Sequence, residues 1–189
     1  FYNYTAATEI DTVFSTVDWT LEDLANVENL SLIGSGDIAG TGNALKNVIF
    51  GNNYANTLDG GAGADTLKGG RGNDTYLVDL IKSGAVAVLQ DSLTENLNEG
   101  TDTVVLRTAG DLGLATATTL ILAANLENLD ATNTGGNKLN LTGNGANNAL
   151  TGNAADNTLD GGTGNDTLAG GAGNDTYLID SLGDVISED

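Results

Sequence analysis

The chain has 189 residues, 40% of them hydrophobic, so it is long enough to bury a core, and 26 Asp and Glu against six Lys and Arg leave a formal charge of −20. That surplus repels phosphate backbones and anionic membranes, argues against nucleic acid as a partner and against membrane insertion, and suits bound cations. With no cysteine and no histidine there are no disulfides, no thiolate or imidazole metal sites and no histidine base; no apolar run approaches the roughly 20 residues of a membrane-spanning helix.

The first 41 residues read as strand-rich. "FYNY" at 1–4, with Phe14 and Trp19, is expected to plug an end of the fold or cover strands, a sugar-stacking surface being the alternative. In "TLEDLANVENL" the apolar Leu21, Leu24, Val27 and Leu30 fit a short helix or a strand, and strand is preferred after residue 26. Glu22 and Asp23 come nearest to an acid/base pair. They stand among many solvated acids with no activated nucleophile, so no catalytic residue is expected.

From Gly42 a nine-residue period begins. Turns open at Gly42, Gly51, Gly60 and Gly69, and again at Gly143, Gly152, Gly161 and Gly170. Position eight is Ile49, Leu58, Leu67 and Tyr76 in the first set and Leu150, Leu159, Leu168 and Tyr177 in the second, apolar or aromatic every time. Position six is Asn47, Asn56, Asp65 and Asp74, then Asn148, Asn157, Asp166 and Asp175, always a side chain with an oxygen. A helix of about 3.6 residues per turn cannot hold this register on one face through so many Gly and Asn. The period predicts a six-residue turn and a three-residue strand per nonapeptide, position eight pointing inward, with two nonapeptides closing one coil of a flattened solenoid. Tyr76 and Tyr177 are expected to cap their apolar rows.

A longer repeat overlies the short one. "NVENL" at 26–30 returns as "NLENL" at 125–129, and "IDTVF" at 10–14 as "TDTVV" at 101–105. The offset grows from 91 between Asp11 and Asp102 to 101 between Asp74 and Asp175, which places about ten inserted residues between Arg107 and Gly143, expected in a loop. Two units follow: 1–91, with a strand-rich 1–41 and a roll over 42–80, and 92–189, with a strand-rich 92–142 and a roll over 143–189. The C-terminal "LGDVISED" corresponds to the region near "GAVAVLQD", so the ends match head to tail and the chain reads as two periods of a longer array.

Glycines at positions one, two and four allow positive φ and bring backbone carbonyls together inside the turn. With a side-chain oxygen from each of two stacked turns they form a cage suited to a hard cation such as calcium, which takes about six to eight oxygens. Stacked turns lie 18 residues apart, which pairs Asn47 with Asp65, Asn56 with Asp74, Asn148 with Asp166 and Asn157 with Asp175, and adds Asp184 to Asp166. The glycines expected to shape the metal sites are Gly61, Gly63, Gly70, Gly72, Gly162, Gly164, Gly171 and Gly173. In the first half Ala85 falls where the counterpart of Asp184 belongs, so an outer site without its aspartate is expected there. For the asparagine turns a second possibility stands beside metal binding: a ladder of amides that stabilises the stack with no ion.

These motifs resemble the RTX family, named for repeats in toxin, whose nonapeptide is GGxGxDxUx with U a large apolar residue. Full copies begin at Gly60, Gly69, Gly161 and Gly170; those at Gly42, Gly51, Gly143 and Gly152 depart by carrying Asn for Asp. The resemblance implies an all-β fold, a parallel β-roll or β-solenoid binding several calcium ions in its turns, in secreted bacterial proteins commonly exported by type I machinery. Taken with the matching ends, this leads to a structural, non-enzymatic module, folded by calcium, of an extracellular or cell-surface protein such as an adhesin, surface layer or filament, with head-to-tail self-association expected from those ends. A secretion or spacer domain of an RTX enzyme or toxin, and a polysaccharide-binding module, are the alternatives.

Overall fold

The computed structural model describes residues 9–188; "FYNY" lies outside them. The first half carries β1 (Thr12–Ser15), β2 (Trp19–Thr20), β3 (Asn29–Leu32), β4 (Ala39–Thr41), β5 (Val48–Phe50), β6 (Thr57–Asp59), β7 (Thr66–Lys68) and the longer β8 (Thr75–Ser83). A transition follows through β9 (Val86–Leu89), β10 (Ser92–Leu93) and β11 (Thr103–Arg107). The second half holds β12 (Thr118–Ile121), β13 (Asn128–Asp130), β14 (Leu139–Thr142), β15 (Ala149–Thr151), β16 (Thr158–Asp160), β17 (Thr167–Ala169), β18 (Thr176–Leu178) and β19 (Val185–Ser187). No α-helix occurs among the described residues, only a 3₁₀ turn at Thr132–Thr134.

Alternate strands stack into walls. One wall is β1-β3-β5-β7-β10, continued in the second half by a separate sheet β12-β14-β16-β18; the other, β2-β4-β6-β8-β11-β13-β15-β17-β19, is hydrogen-bonded without a break. All of these neighbours run parallel, and only the β8–β9 hairpin is antiparallel. The chain is the all-β parallel solenoid that the nine-residue period predicts.

In a three-residue strand the middle side chain alone points into the coil, because successive side chains face opposite ways. Position eight is that middle residue, and the register stacks Leu30 on Ile49 on Leu67, Leu58 on Tyr76, and Leu150 on Leu168. Each of these side chains is buried. Burying one such Leu or Ile contributes about 1.5–3 kcal/mol, so the two inward residues of a coil offset only part of the roughly 1–2 kcal/mol per residue that ordering the coil costs.

The strand-rich stretches are coils of the same solenoid and not connectors between two rolls. β3 and β4 pair with β5 and β6, while β11 and β13 lead into β15. The halves join at β8 and β11 over a five-residue parallel register from Thr75↔Thr103 to Asp79↔Arg107. A wall needs only an inward apolar residue per strand, which Leu30, Val104 and Leu129 supply without the glycine motif. No helix covers 21–30: Leu21 is buried in a turn, and β3 begins at Asn29. Most of the extra length of the second half sits in the 108–117 segment between β11 and β12, a loop as expected, and the rest between β13 and β15.

Candidate metal centre

Six-residue turns link the walls along both edges of the solenoid, and position six closes each turn just before a strand. The 18-residue pairing expected from the sequence is present, carried by a backbone donor. Asn47 N–H donates to Asp65 Oδ1 at 2.7 Å, Asn56 N–H to Asp74 Oδ1 at 2.7 Å, Asn148 N–H to Asp166 Oδ1 at 2.7 Å and Asn157 N–H to Asp175 Oδ1 at 2.8 Å. Asp166 N–H in turn donates to Asp184 Oδ1 at 3.0 Å. One carboxylate oxygen of each aspartate is thereby pinned to the preceding turn.

The other oxygen is left over. Oδ2 of Asp65, Asp74, Asp166 and Asp175 is buried with no hydrogen-bond partner, and these four are the position-six residues of the four full motifs. The reason lies at position two. At Gly61 φ is +77°, and the N–H turns away from Asp65 to donate to Asp59 Oδ1 at 3.0 Å. At Asn43 the N–H instead donates to Asn47 Oδ1 at 2.7 Å, so the side-chain oxygen of that turn is satisfied.

The glycines at positions two and four all have the expected positive φ. They face the carbonyls of the preceding turn: a Cβ on Gly61 would lie 2.8 Å from the Asn43 oxygen, and one on Gly63 2.5 Å from the Leu45 oxygen. Position one differs from expectation. Gly60 and its counterparts do not adopt positive φ; they are glycine because a Cβ on Gly60 would lie 2.4 Å from Asp65 Oδ2, the same oxygen that lacks a partner.

The asparagines expected as ligands have their amides engaged with protein. Asn47 Nδ2 donates to the carbonyls of Val27 (3.3 Å) and Glu28 (3.0 Å), and Asn148 Nδ2 to those of Leu126 (3.3 Å) and Glu127 (3.1 Å). Asn56 and Asn157 reach the Ile38 and Leu139 carbonyls at 3.0 and 2.7 Å. A further set, Asn43, Asn52, Asn144 and Asn153 at position two, was invisible to the position-six reading. Each spans two acceptors above it, as Asn43 Nδ2 does with the Leu24 and Val27 carbonyls, both at 2.9 Å. The signal was present as Gly-Asn in place of Gly-Gly.

The outer turn of the first half is not without its aspartate. The extra residues build the β8–β9 hairpin with Gly84 and Ala85 at its tip, and the returning chain delivers Asp91, whose Oδ1 accepts Asp65 N–H at 3.0 Å. Asp102 plays the same part on the other edge, accepting Asp74 N–H at 2.7 Å, and its own N–H continues the ladder to Glu127 Oε2 at 2.8 Å. Tyr76 is not a cap, since β11 stacks beyond it; its buried hydroxyl accepts Gly69 N–H at 2.6 Å and donates to Glu95. Tyr177 repeats the arrangement with Gly170 and Glu188.

Burial drives the carboxyl pKa values up. Desolvation lifts Asp65 to about 7, with the Asn47 N–H opposing and Asp91 adding; Asp74 and Asp102 rise to about 6 and Glu95 to about 8, again chiefly by burial. Protein cations do little to compensate: Arg107 is directed at Asp59 and Asp79, and Lys68 lies over the Phe50 ring. An oxygen-only donor set of carboxylates and carbonyls with unpartnered buried oxygens fits a hard divalent cation. Glu22 and Asp23 are exposed near β2, and Phe14 and Trp19 are partly exposed on β1 and β2.

A family model described as the RTX calcium-binding nonapeptide repeat (4 copies) matches residues 41–76 and again 142–177. The two blocks are RTX repeats. RTX nonapeptides bind calcium and are structural elements typical of secreted bacterial proteins. No curated protein and no solved structure matches the chain. No helix among the described residues is long and apolar enough to cross a membrane.

Proposed function

We propose that this chain is a non-enzymatic structural segment, folded by calcium, of a secreted or surface-attached bacterial protein. The observation that carries the reading is the coincidence of the four unpartnered aspartate Oδ2 atoms with the four full Gly-Gly-x-Gly-x-Asp motifs, all within the matched blocks. Asp65, Asp74, Asp166 and Asp175 hold calcium with the carbonyls that face them, shaped by Gly61, Gly63, Gly70, Gly72, Gly162, Gly164, Gly171 and Gly173. Asn47, Asn56, Asn148 and Asn157 stay bonded to protein. Without the ion, buried like charges oppose folding; with it, binding to the folded state alone stabilises that state, and extracellular calcium modules bind at roughly 10⁻⁴ to 10⁻³ M.

Within that role, an array segment is favoured over a passive spacer. Among the described residues β1 and β18 are the outermost strands of the interrupted wall, each paired on one side, and both ends expose apolar side chains: Ile10, Phe14 and Val17 at one, Leu178, Leu182 and Val185 at the other. Open parallel edges of this kind invite stacking of another copy.

Sedimentation velocity from chelator to millimolar calcium at fixed ionic strength tests both levels. Compaction followed by chelator-reversible growth supports the array segment, and compaction to a monomer alone supports the spacer. A chain equally compact in chelator overturns calcium-driven folding.

A further inference from the structure

We infer that Glu95 and Asp102 share the calcium held by Asp74, making a three-carboxylate site at the junction of the two halves. Ligand oxygens of the three carboxylates lie within 4.8 Å of one another. The residues are 1, 9 and 1% exposed, and Asp74 Oδ2, Glu95 Oε2 and Asp102 Oδ2 have no hydrogen-bond partner. The second oxygen of each is held in place: Asp74 Oδ1 accepts Asn56 N–H, Asp102 Oδ1 accepts Asp74 N–H, both at 2.7 Å, and Glu95 Oε1 accepts the Tyr76 hydroxyl. Each of the three clustered carboxylates thus has one oxygen held and one free, and no salt bridge among the described residues answers them. Uncompensated buried charges of one sign strongly oppose folding, whereas a hard cation turns the same arrangement into a favourable one. Oxygen ligands alone, without nitrogen or sulfur, select calcium over the softer transition metals.

The site lies beyond the repeat pattern. Glu95 and Asp102 fall outside residues 41–76, and the step from Asp74 to Asp102 is 28 residues, where the repeats step by 18. Those 28 residues include the β8–β9 hairpin and β10, so the ion fastens the longest excursion of the chain back onto the continuous wall where β8 meets β11. The geometry recurs in halves at the two ends. Tyr177 accepts Gly170 N–H at 2.8 Å and donates to Glu188 Oε1 at 2.6 Å beside the unpartnered Asp175 Oδ2, as Tyr76 does with Gly69 and Glu95 beside Asp74. Asp11 N–H donates to Glu28 Oε2 at 2.9 Å, as Asp102 N–H does to Glu127.

The inference rests on the calcium reading of the repeats, because Asp74 closes one of them. Equilibrium dialysis against calcium separates the two claims, using the 189-residue chain, Glu95→Gln, Asp102→Asn and, as a repeat variant, Asp166→Asn. Glu95→Gln keeps the shape and the acceptor for the Tyr76 hydroxyl. The expected result is one equivalent of calcium per chain lost in Glu95→Gln and in Asp102→Asn, with the second-half repeats unaffected. Terbium luminescence sensitised by Tyr76 should fall by at least twofold in the same two variants. A parent that binds calcium while both variants bind the same number of equivalents with the same affinity and luminescence overturns the junction site alone. A parent that binds none overturns the repeat reading along with it.

Discussion

Replacing Asp166 by Asn should change the sign of its effect with calcium. In the folded chain Asp166 Oδ1 accepts Asn148 N–H at 2.7 Å, while Oδ2 is buried without a partner. An amide keeps the first bond and puts a neutral group where the orphaned, charged acceptor stood against Gly161. Removing an unsatisfied buried acceptor is worth about 1–3 kcal/mol, so in chelator the variant should be as stable as the parent or more stable by that amount. With calcium the balance reverses. A site filled at 100 times its Kd, which for a Kd of roughly 10⁻⁴ M means about 10 mM calcium, contributes about 2.7 kcal/mol that the variant lacks. Urea unfolding of parent and variant in chelator and in 10 mM calcium would measure the difference of differences, expected at about 3–6 kcal/mol by adding the two effects. Equal destabilisation under both conditions would refute the reasoning, because it would make Asp166 a structural acceptor and nothing more.

The asparagine turns should behave in the opposite way: Asn148→Ala removes a bond from Asn144 N–H at 2.7 Å and two to the Leu126 and Glu127 carbonyls, and should cost about 1–3 kcal/mol in urea unfolding with or without calcium. Arg107→Met breaks the paired bonds to Asp59 at 2.7 and 2.9 Å, for a loss of roughly 1–3 kcal/mol at pH 7. Burial pushes the Asp59 carboxyl up, but hydrogen bonds from Arg107 and Gly61 outweigh it and leave the pKa below its ordinary value. A depressed folded pKa gives stability that is present above the unfolded value and lost as pH falls through the folded one. The melting-temperature gap between parent and Arg107→Met should therefore close in acid. Asp11→Asn should leave calcium-driven compaction intact and reduce calcium-dependent self-association about tenfold by sedimentation, the loss of roughly 1.4 kcal/mol, since Asp11 precedes β1, the outermost described strand of its wall, as Asp102 precedes β11.

Much of the fold was legible because its period was written in residues with few alternatives. Leu58, Leu67, Leu159 and Leu168 recur at one position of nine between glycines, and no helix satisfies that spacing. The coils around Leu30, Val104 and Leu129 were harder to read, because their turns vary in length and only the inward residue is kept. The aspartate ladder was legible where the step is 18 residues. Asp91, Glu95 and Asp102 were not, since a hairpin intervenes and the pairing step becomes 26 or 28. Distance along the chain had ceased to report distance in the stack. Ala85 marked the break correctly and misled about its consequence, because a hairpin tip moves out of the wall and lets a later residue fill the place.

Position two of each turn decides what position six can do. With asparagine there, the backbone N–H caps the position-six oxygen and the amide bridges two carbonyls of the turn before, so the chain satisfies its own polar groups. With glycine at φ +77°, the same N–H swings to Asp59, no amide fills the space between turns, and the carboxylate at position six keeps an oxygen that nothing in the protein meets. A buried, unpaired carboxylate oxygen is destabilising wherever it occurs, yet it recurs in all four full repeats while the neighbouring Asn turns escape it. Each half places its two asparagine turns directly before its two glycine turns. One edge of every glycine turn therefore rests on a coil whose polar groups are already satisfied, while its cage opens toward that coil's carbonyls. The stability that depends on an ion is in this way built upon stability that does not.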